Sequence, residues 1–253
     1  MPRGGRIRVF AAFLLVASAI SAAAHAHAPE VRSIQIQGVP RVKQMRNYCG
    51  PACLASVMRH YGAHISQETI GREVYDSDSG ATNGADLLYF ARRHGYSAYS
   101  WNTSIEDVKR KLSRGTPVIA LQQNSLTDAS GHYRVLTGCD DDRGVFLVVD
   151  PYYDEITEIG YAECRRLWET KGFWALVVVP CDQDPYRDEL GIGNPVLHMD
   201  LAYALYKRGM YSEALDEANL ALAIQPRNTH AMAIQGKISA AVGAGKKQSP
   251  GGE

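Results

Sequence analysis

The chain has 253 residues, 45% of them hydrophobic and 21% charged, a composition that excludes collagen-like, low-complexity and disordered classes. Lysine plus arginine and aspartate plus glutamate both total 27, so no basic excess points to nucleic acid. Five cysteines are too few for a disulfide scaffold at this length. No HExxH, paired CxxC or Walker loop implies a metal or a nucleotide cofactor.

Arg3, Arg6 and Arg8 precede an apolar run from Val9 to Ile20, and small residues lead to Ala24-His25-Ala26-His27-Ala28. A basic stretch, a short apolar core and an A-x-A site read as a secretory signal peptide over residues 1–26. The run is too short for a comfortable membrane span. Cleavage after Ala26 is preferred, because cleavage after Ala28 would set Pro29 beside the scissile bond. Loss of three arginines and no acids leaves 24 basic and 27 acidic residues, a net charge of about −3. The expected product is exported, periplasmic or secreted, with no stable membrane insertion, in a compartment that permits disulfides.

Residues 30–180 mix helical and strand patterns. Helices are expected at Cys49–Tyr61, Ser66–Val74, Gly84–Arg93 and Ile105–Leu112. Pro51 fits only a first turn, which sets the first helix start at Tyr48–Cys49. Ala52, Cys53, Leu54, Ala55, Val57 and Met58 fill most of its circumference, so it is a buried helix. Strands follow at Pro117–Gln122, His132–Thr137, Val145–Asp150 and Phe173–Val179, with a helix at Tyr161–Glu169 between the last two. Helices packed on an antiparallel sheet make an α+β domain.

Residues 181–195, rich in Pro, Gly and charge, read as a linker. Residues 196–243 are helical, and 244–253 read as a disordered tail. Leu201, Ala202, Leu205, Gly209, Tyr211, Ala214, Ala218, Ala221 and Pro226 stand at tetratricopeptide-repeat spacing, and Gly236 and Gly243 follow Ala202 and Gly209 after 34 residues. One repeat and a half do not stand alone, so these helices should dock on the first domain or on a protein partner.

Cys49 opens the buried helix, where unpaired N–H groups and the helix dipole favour a thiolate. Gln44, five residues upstream, can offer an amide to an oxyanion beside the sulfur. His132 and Asp150 are each nine residues from Asp141. A hairpin folded about Asp141 would set them opposite one another, so that Asp150 fixes the imidazole tautomer and frees the other nitrogen for the thiol. Tyr152-Tyr153 and Asp76–Gly80 are candidate cleft rims. Cys53 reads as core. Among Cys53, Cys139, Cys164 and Cys181 two bridges are possible, with Cys164–Cys181 preferred because a helix and the end of the adjacent strand would bring them together.

Gln44…Tyr48-Cys49-Gly50-Pro51-Ala52, Gly131-His132-Tyr133 and Val149-Asp150-Pro151, with Gly115-Thr116-Pro117-Val118-Ile119 before the histidine strand, resemble the papain-like bacteriocin-processing peptidases that cut after a double-glycine leader. The resemblance covers residues 35–180. It implies a papain-like fold with Cys49 as nucleophile, His132 as general base, Asp150 as orienting residue and Gln44 as oxyanion donor, and it needs no cofactor or metal. The Gln–Cys spacing, one residue shorter than in transporter-fused members, is similar to that of the free-standing branch, and a tetratricopeptide tail stands where those members carry a transporter; with both departures, double-glycine specificity is not carried over. The expected function is an exported cysteine peptidase acting on a peptide or protein substrate. The competing readings are a catalytically silent peptide-binding module and an amidase or transpeptidase acting on cell-wall peptides.

Overall fold

The structure, a computed structural model, describes residues 33–247, all within one compact unit. The expected signal peptide and the last six residues of the expected tail lie outside the described residues.

Local chemistry explains most helix starts. A short strand, β1 (Ser33–Gln35), and a loop lead to α1 (Cys49–His60), whose Pro51 occupies the first turn where its missing N–H costs nothing. Ser66 accepts from the Thr69 N–H and caps α2 (Gln67–Val74). A small hairpin, β2 (Tyr75–Asp76) and β3 (Ala81–Thr82), leads to α3 (Gly84–Arg93), capped by Asn83. After β4 (Tyr96–Asn102), Ser104 caps α4 (Ile105–Ser113). There follow β5 (Val118–Gln123), β6 (Gly131–Asp140), β7 (Val145–Val149), β8 (Ile156–Gly160), α5 (Tyr161–Glu169), β9 (Trp174–Pro180) and α6 (Arg187–Leu190). Three helices close the chain: α7 (Pro195–Lys207), capped by Asn194, α8 (Tyr211–Ile224) and α9 (Thr229–Lys247). The last of them takes in the first four residues, 244–247, of the expected disordered tail.

The fold is α+β. An antiparallel sheet runs in the order β4-β9-β5-β6-β7-β8, and β1 pairs with the far end of β6 where β5 stops. Gly138 permits that pairing, since a β-carbon there would lie 2.3 Å from the Ile34 carbonyl. Strands β4 and β8 lie outside the sequence expectation. The serines of Tyr96–Asn102 mask its β pattern, yet the whole strand pairs with β9. Helix α1 is buried from Gly50 to Met58 and packs on β6, which brings its N-terminus to the sheet.

Helix α7 packs on α3 and β4. Polar bonds hold this junction: Lys207 and Arg208 each reach the buried Asp86 carboxylate at 2.8 Å, and Asn194 donates to the Ser100 carbonyl at 2.7 Å. The expected Cys164–Cys181 disulfide is not formed, and all five cysteines are free. Cys164 is buried on α5 and accepts from the Gln122 amide of β5 at 3.1 Å, whereas Cys181 is exposed and faces Ser97.

Candidate active site

Cys49 is the first residue of α1, half-buried at the edge of a cleft of about 610 Å³. The preceding Asn47 adopts a left-handed φ of 62°, a turn that the loop needs to enter the helix at Tyr48. Burial pushes the thiol above its ordinary range. Main-chain groups of Tyr133, Gly50 and Cys49 itself pull it back down without offsetting that rise. At this helix start desolvation thus outweighs the main-chain N–H groups that favour the thiolate. The Tyr133 main chain that faces the sulfur belongs to the residue after His132.

His132 and Asp150 meet. His132 Nε2–H donates to Asp150 Oδ1 at 2.9 Å, and both side chains are buried. This bond leaves Nδ1 as the acceptor nitrogen. The expected register is corrected. The turn between β6 and β7 is Asp141–Gly144, so the hairpin is not centred on Asp141. An unbroken ladder from the Asp140–Val145 pair would set Asp150 opposite Val135, whose side chain points to the other face. A bulge at Thr137 shifts the register by one, pairs Val135 with Val149, and brings Asp150 opposite Arg134. His132 lies two residues from Arg134 and so shares its face, reaching Asp150 along the diagonal.

Arg134 is a site residue that the sequence reading missed. Its Nε donates to Asp150 Oδ2 at 2.8 Å, and its remaining nitrogens reach the Gln122 side chain and the carbonyls of Gln123 and Asn124. The available signal was its period-2 position after His132. Tyr152 completes the group: its N–H donates to Asp150 Oδ1 at 3.0 Å, and its ring stacks on the imidazole at 4.3 Å with an 8° interplanar angle. Burial raises the Asp150 carboxyl, but the His132 bond and charge, the Tyr152 N–H and Arg134 hold it below its usual range. Burial lowers the His132 imidazole. Asp150 pulls it up, Arg134 pushes it down, and the net direction is down. Asp150 is thus held toward its ionised form first by His132 and then by the Tyr152 N–H and Arg134, while burial disfavours the charged imidazole.

Gln44 lines the cleft together with Cys49 and His132. Its N–H donates to the Pro151 carbonyl at 2.9 Å, which ties its loop to the turn carrying Asp150. The buried Gln67 amide, also missed from sequence, clasps both flanks by accepting from the Met45 N–H and donating to the Lys43 carbonyl. Gln44 Oε1 is buried without a hydrogen bond among the described residues. Cys49 and His132 share the cleft without a hydrogen bond between them, as is common before substrate binds. The rim contains Tyr152 and, of the expected Asp76–Gly80 stretch, only Ser79 and Gly80; Ala81 and Thr82 extend it beyond the expected bounds, and Tyr153 is exposed and not among the lining residues.

A profile of the Peptidase_C39 like family matches residues 36–175. The chain belongs to the C39-like peptidase family. A putative C39-like peptidase from Bacillus anthracis superposes with a TM-score of 0.50 at 16% identity, covering 58% of this chain and 97% of its own. A double glycine motif protease from an AMS/PCAT transporter, solved with its leader peptide, has a TM-score of 0.45 at 21% identity and covers 60% and 99%. An uncharacterized protein of Methanothermobacter marburgensis is 33% identical over 101 residues, 40% of this chain, and the chain spans 64% of that relative's length. The C39-like family and the papain-like fold of its members support a cysteine-peptidase type of function for this chain. Helices α7 to α9 lie beyond the residues matched to the C39-like family.

Proposed function

We propose that this chain is an exported cysteine peptidase that hydrolyses peptide bonds with Cys49, His132, Asp150 and Gln44. The reading is supported chiefly by one arrangement: a buried histidine–aspartate pair in the same cleft as a free cysteine at a helix N-terminus. His132 Nδ1 takes the thiol proton as Cys49 sulfur attacks the substrate carbonyl. The oxyanion is held by the Gln44 side-chain amide and the Cys49 N–H. The tetrahedral adduct collapses, the C–N bond breaks, and the imidazolium gives its proton to the leaving amine. Water then attacks the thioester with His132 again as base, releasing a free acid and restoring the thiol. Asp150 holds the imidazole in the tautomer that keeps Nδ1 free, and Arg134 holds Asp150.

Export rests on the N-terminal signal-like segment and places the enzyme in the periplasm or outside the cell. The repeat-like C-terminal helices offer a surface for a protein partner. The function is tested by incubating the purified chain with peptide mixtures and identifying products by mass spectrometry. Free acids from the parent chain and none from Cys49→Ala support it, as does selective labelling of Cys49 by a thiol-directed epoxide. Full turnover in Cys49→Ala excludes it.

A further inference from the structure

The cleft has a wall that the C39-like match does not reach. Asp200, on α7, lines it, although the family match ends at residue 175. Trp174 Nε1 donates to Asp200 Oδ2 at 2.8 Å. The indole is pinned from the other side by α3, where a β-carbon on Gly84 would fall 2.4 Å from the ring. Tyr133 meets Trp174 edge-on with centroids 6.0 Å apart, and its hydroxyl donates to the Thr82 carbonyl at 3.2 Å. Three cleft residues from separate elements therefore form an aromatic corner with a carboxyl group in it.

The charge in this corner is uncompensated. Asp200 is the one carboxylate lining the cleft among the described residues, and no lysine, arginine or histidine among them forms an ion pair with it. The nearby cations of its own helical segment are engaged elsewhere, because Lys207 and Arg208 both bind Asp86. Lys171, also on the cleft, donates to the Ala129 carbonyl. Burial pushes the Asp200 carboxyl up to about 6, against the pull of Ser100 and Trp174, so it is mainly ionised at neutral pH. An unpaired carboxylate in a partly desolvated, aromatic-walled recess is unfavourable until a cation enters, and aromatic faces add to the attraction for one.

We propose that Asp200 is a specificity-determining residue of the cleft, contributed by the C-terminal helices, that accepts a cationic group of the bound peptide. The group is an ammonium or guanidinium, supplied by a lysine or arginine side chain or by the peptide's N-terminus. The inference rests on the reading of this cleft as a peptide site, and it gives α7 a role in substrate selection beyond docking.

The test uses the full chain carrying Cys49→Ala and a set of fluorescent peptides of one parent sequence. Lysine is exchanged for norleucine at each position in turn, and the N-terminus is free or acetylated. Anisotropy should show a preference of about tenfold or more in Kd for peptides with one correctly placed positive charge. The lysine scan and the acetylation pair separate the two sources of that charge. Asp200→Asn should reduce the ratio to about one, and Asp200→Lys should turn it toward glutamate at the same position. Equal binding of all peptides by the parent chain, or a preference that survives Asp200→Asn, overturns the proposal. The parent measurement needs no change at Asp200 and so stands even if a variant misfolds. These are binding ratios, so a chain that hydrolyses no peptide would end the peptidase reading while leaving this result decisive for Asp200.

Discussion

Arg134 and His132 divide one carboxylate between them: Arg134 holds Asp150 Oδ2 at 2.8 Å while His132 holds Oδ1 at 2.9 Å. The two donors are two residues apart on β6 and so stand on one face of the sheet. A guanidinium that neutralises Asp150 weakens the field that would otherwise keep the imidazole charged. Asp150 therefore positions the base and pulls its pKa up, while burial first and Arg134 second push it down.

Arg134→Gln removes the positive charge that disfavours the imidazolium. The His132 pKa should rise, and the acid limb of kcat/KM, which lies below pH 6.5 in the parent, should move to higher pH. The same change leaves Asp150 short of a partner in a buried site and should cost about 3–5 kcal/mol of stability. Peptide hydrolysis between pH 4 and 8 and urea unfolding read the two effects separately.

The His132 imidazole is depressed in the folded chain, so the unfolded chain binds more protons just below pH 6.5. Its contribution to stability is complete above that value and is lost as pH falls through the lower folded value. Asp150 is likewise depressed, and its contribution disappears only at more acid pH, below the ordinary carboxylate range. Asp200, raised to about 6, titrates in the same range with the opposite sign, so the two stages are read as differences in unfolding midpoint between the parent and variants of His132 and Asp150. His132→Gln should abolish the upper stage; an unchanged upper stage would show that another group causes it.

Cys49 titrates above the ordinary thiol range in the resting chain. Its iodoacetamide labelling should rise about tenfold per pH unit between pH 7 and 9, since only the thiolate reacts. A plateau near neutrality would mean that the thiolate–imidazolium pair already exists without substrate. Mass spectrometry of the peptide containing Cys49 follows the rate.

Gln44→Ala should lower kcat about a hundredfold through the loss of one oxyanion donor, with little change in KM. Gln67→Leu keeps the Gln44 side chain but frees both flanks of its loop. It should lower kcat by a smaller factor and widen hydrogen exchange at Met45. Equal kcat in Gln67→Leu and parent would show that the loop is held by its Pro151 contact alone.

Much of the peptidase half was legible in residue order because it depends on near neighbours. Pro51 in a first turn, the caps at Ser66 and Asn83, and the run from Ala52 to Met58 fix helices through contacts within a few residues. The hairpin that joins His132 to Asp150 is also local, and its arithmetic found the right partners with the wrong register. The turn length and the bulge at Thr137 depend on what β6 meets on both edges, which residue order does not state. The upward push on the Cys49 thiol was not legible for a similar reason, since a helix end is local but desolvation is set by everything packed around it. The Cys164–Cys181 pairing failed because α5 turns Cys164 toward Gln122.

Residue types and short spacings by themselves determined the α+β class, the helix carrying Cys49 and the hairpin that pairs the His132 strand with the Asp150 strand; the bulge at Thr137, a tertiary feature, puts the two side chains on one face. Only the tertiary structure decided that Arg134 shares that carboxylate, that Gln67 braces the loop of Gln44, and that Asp200 of α7 reaches a cleft opened by Cys49 some 150 residues earlier. Periodicity and capping act over a turn of helix or a strand pair, whereas charge compensation and cleft walls arise from surfaces brought together by burial of the whole core.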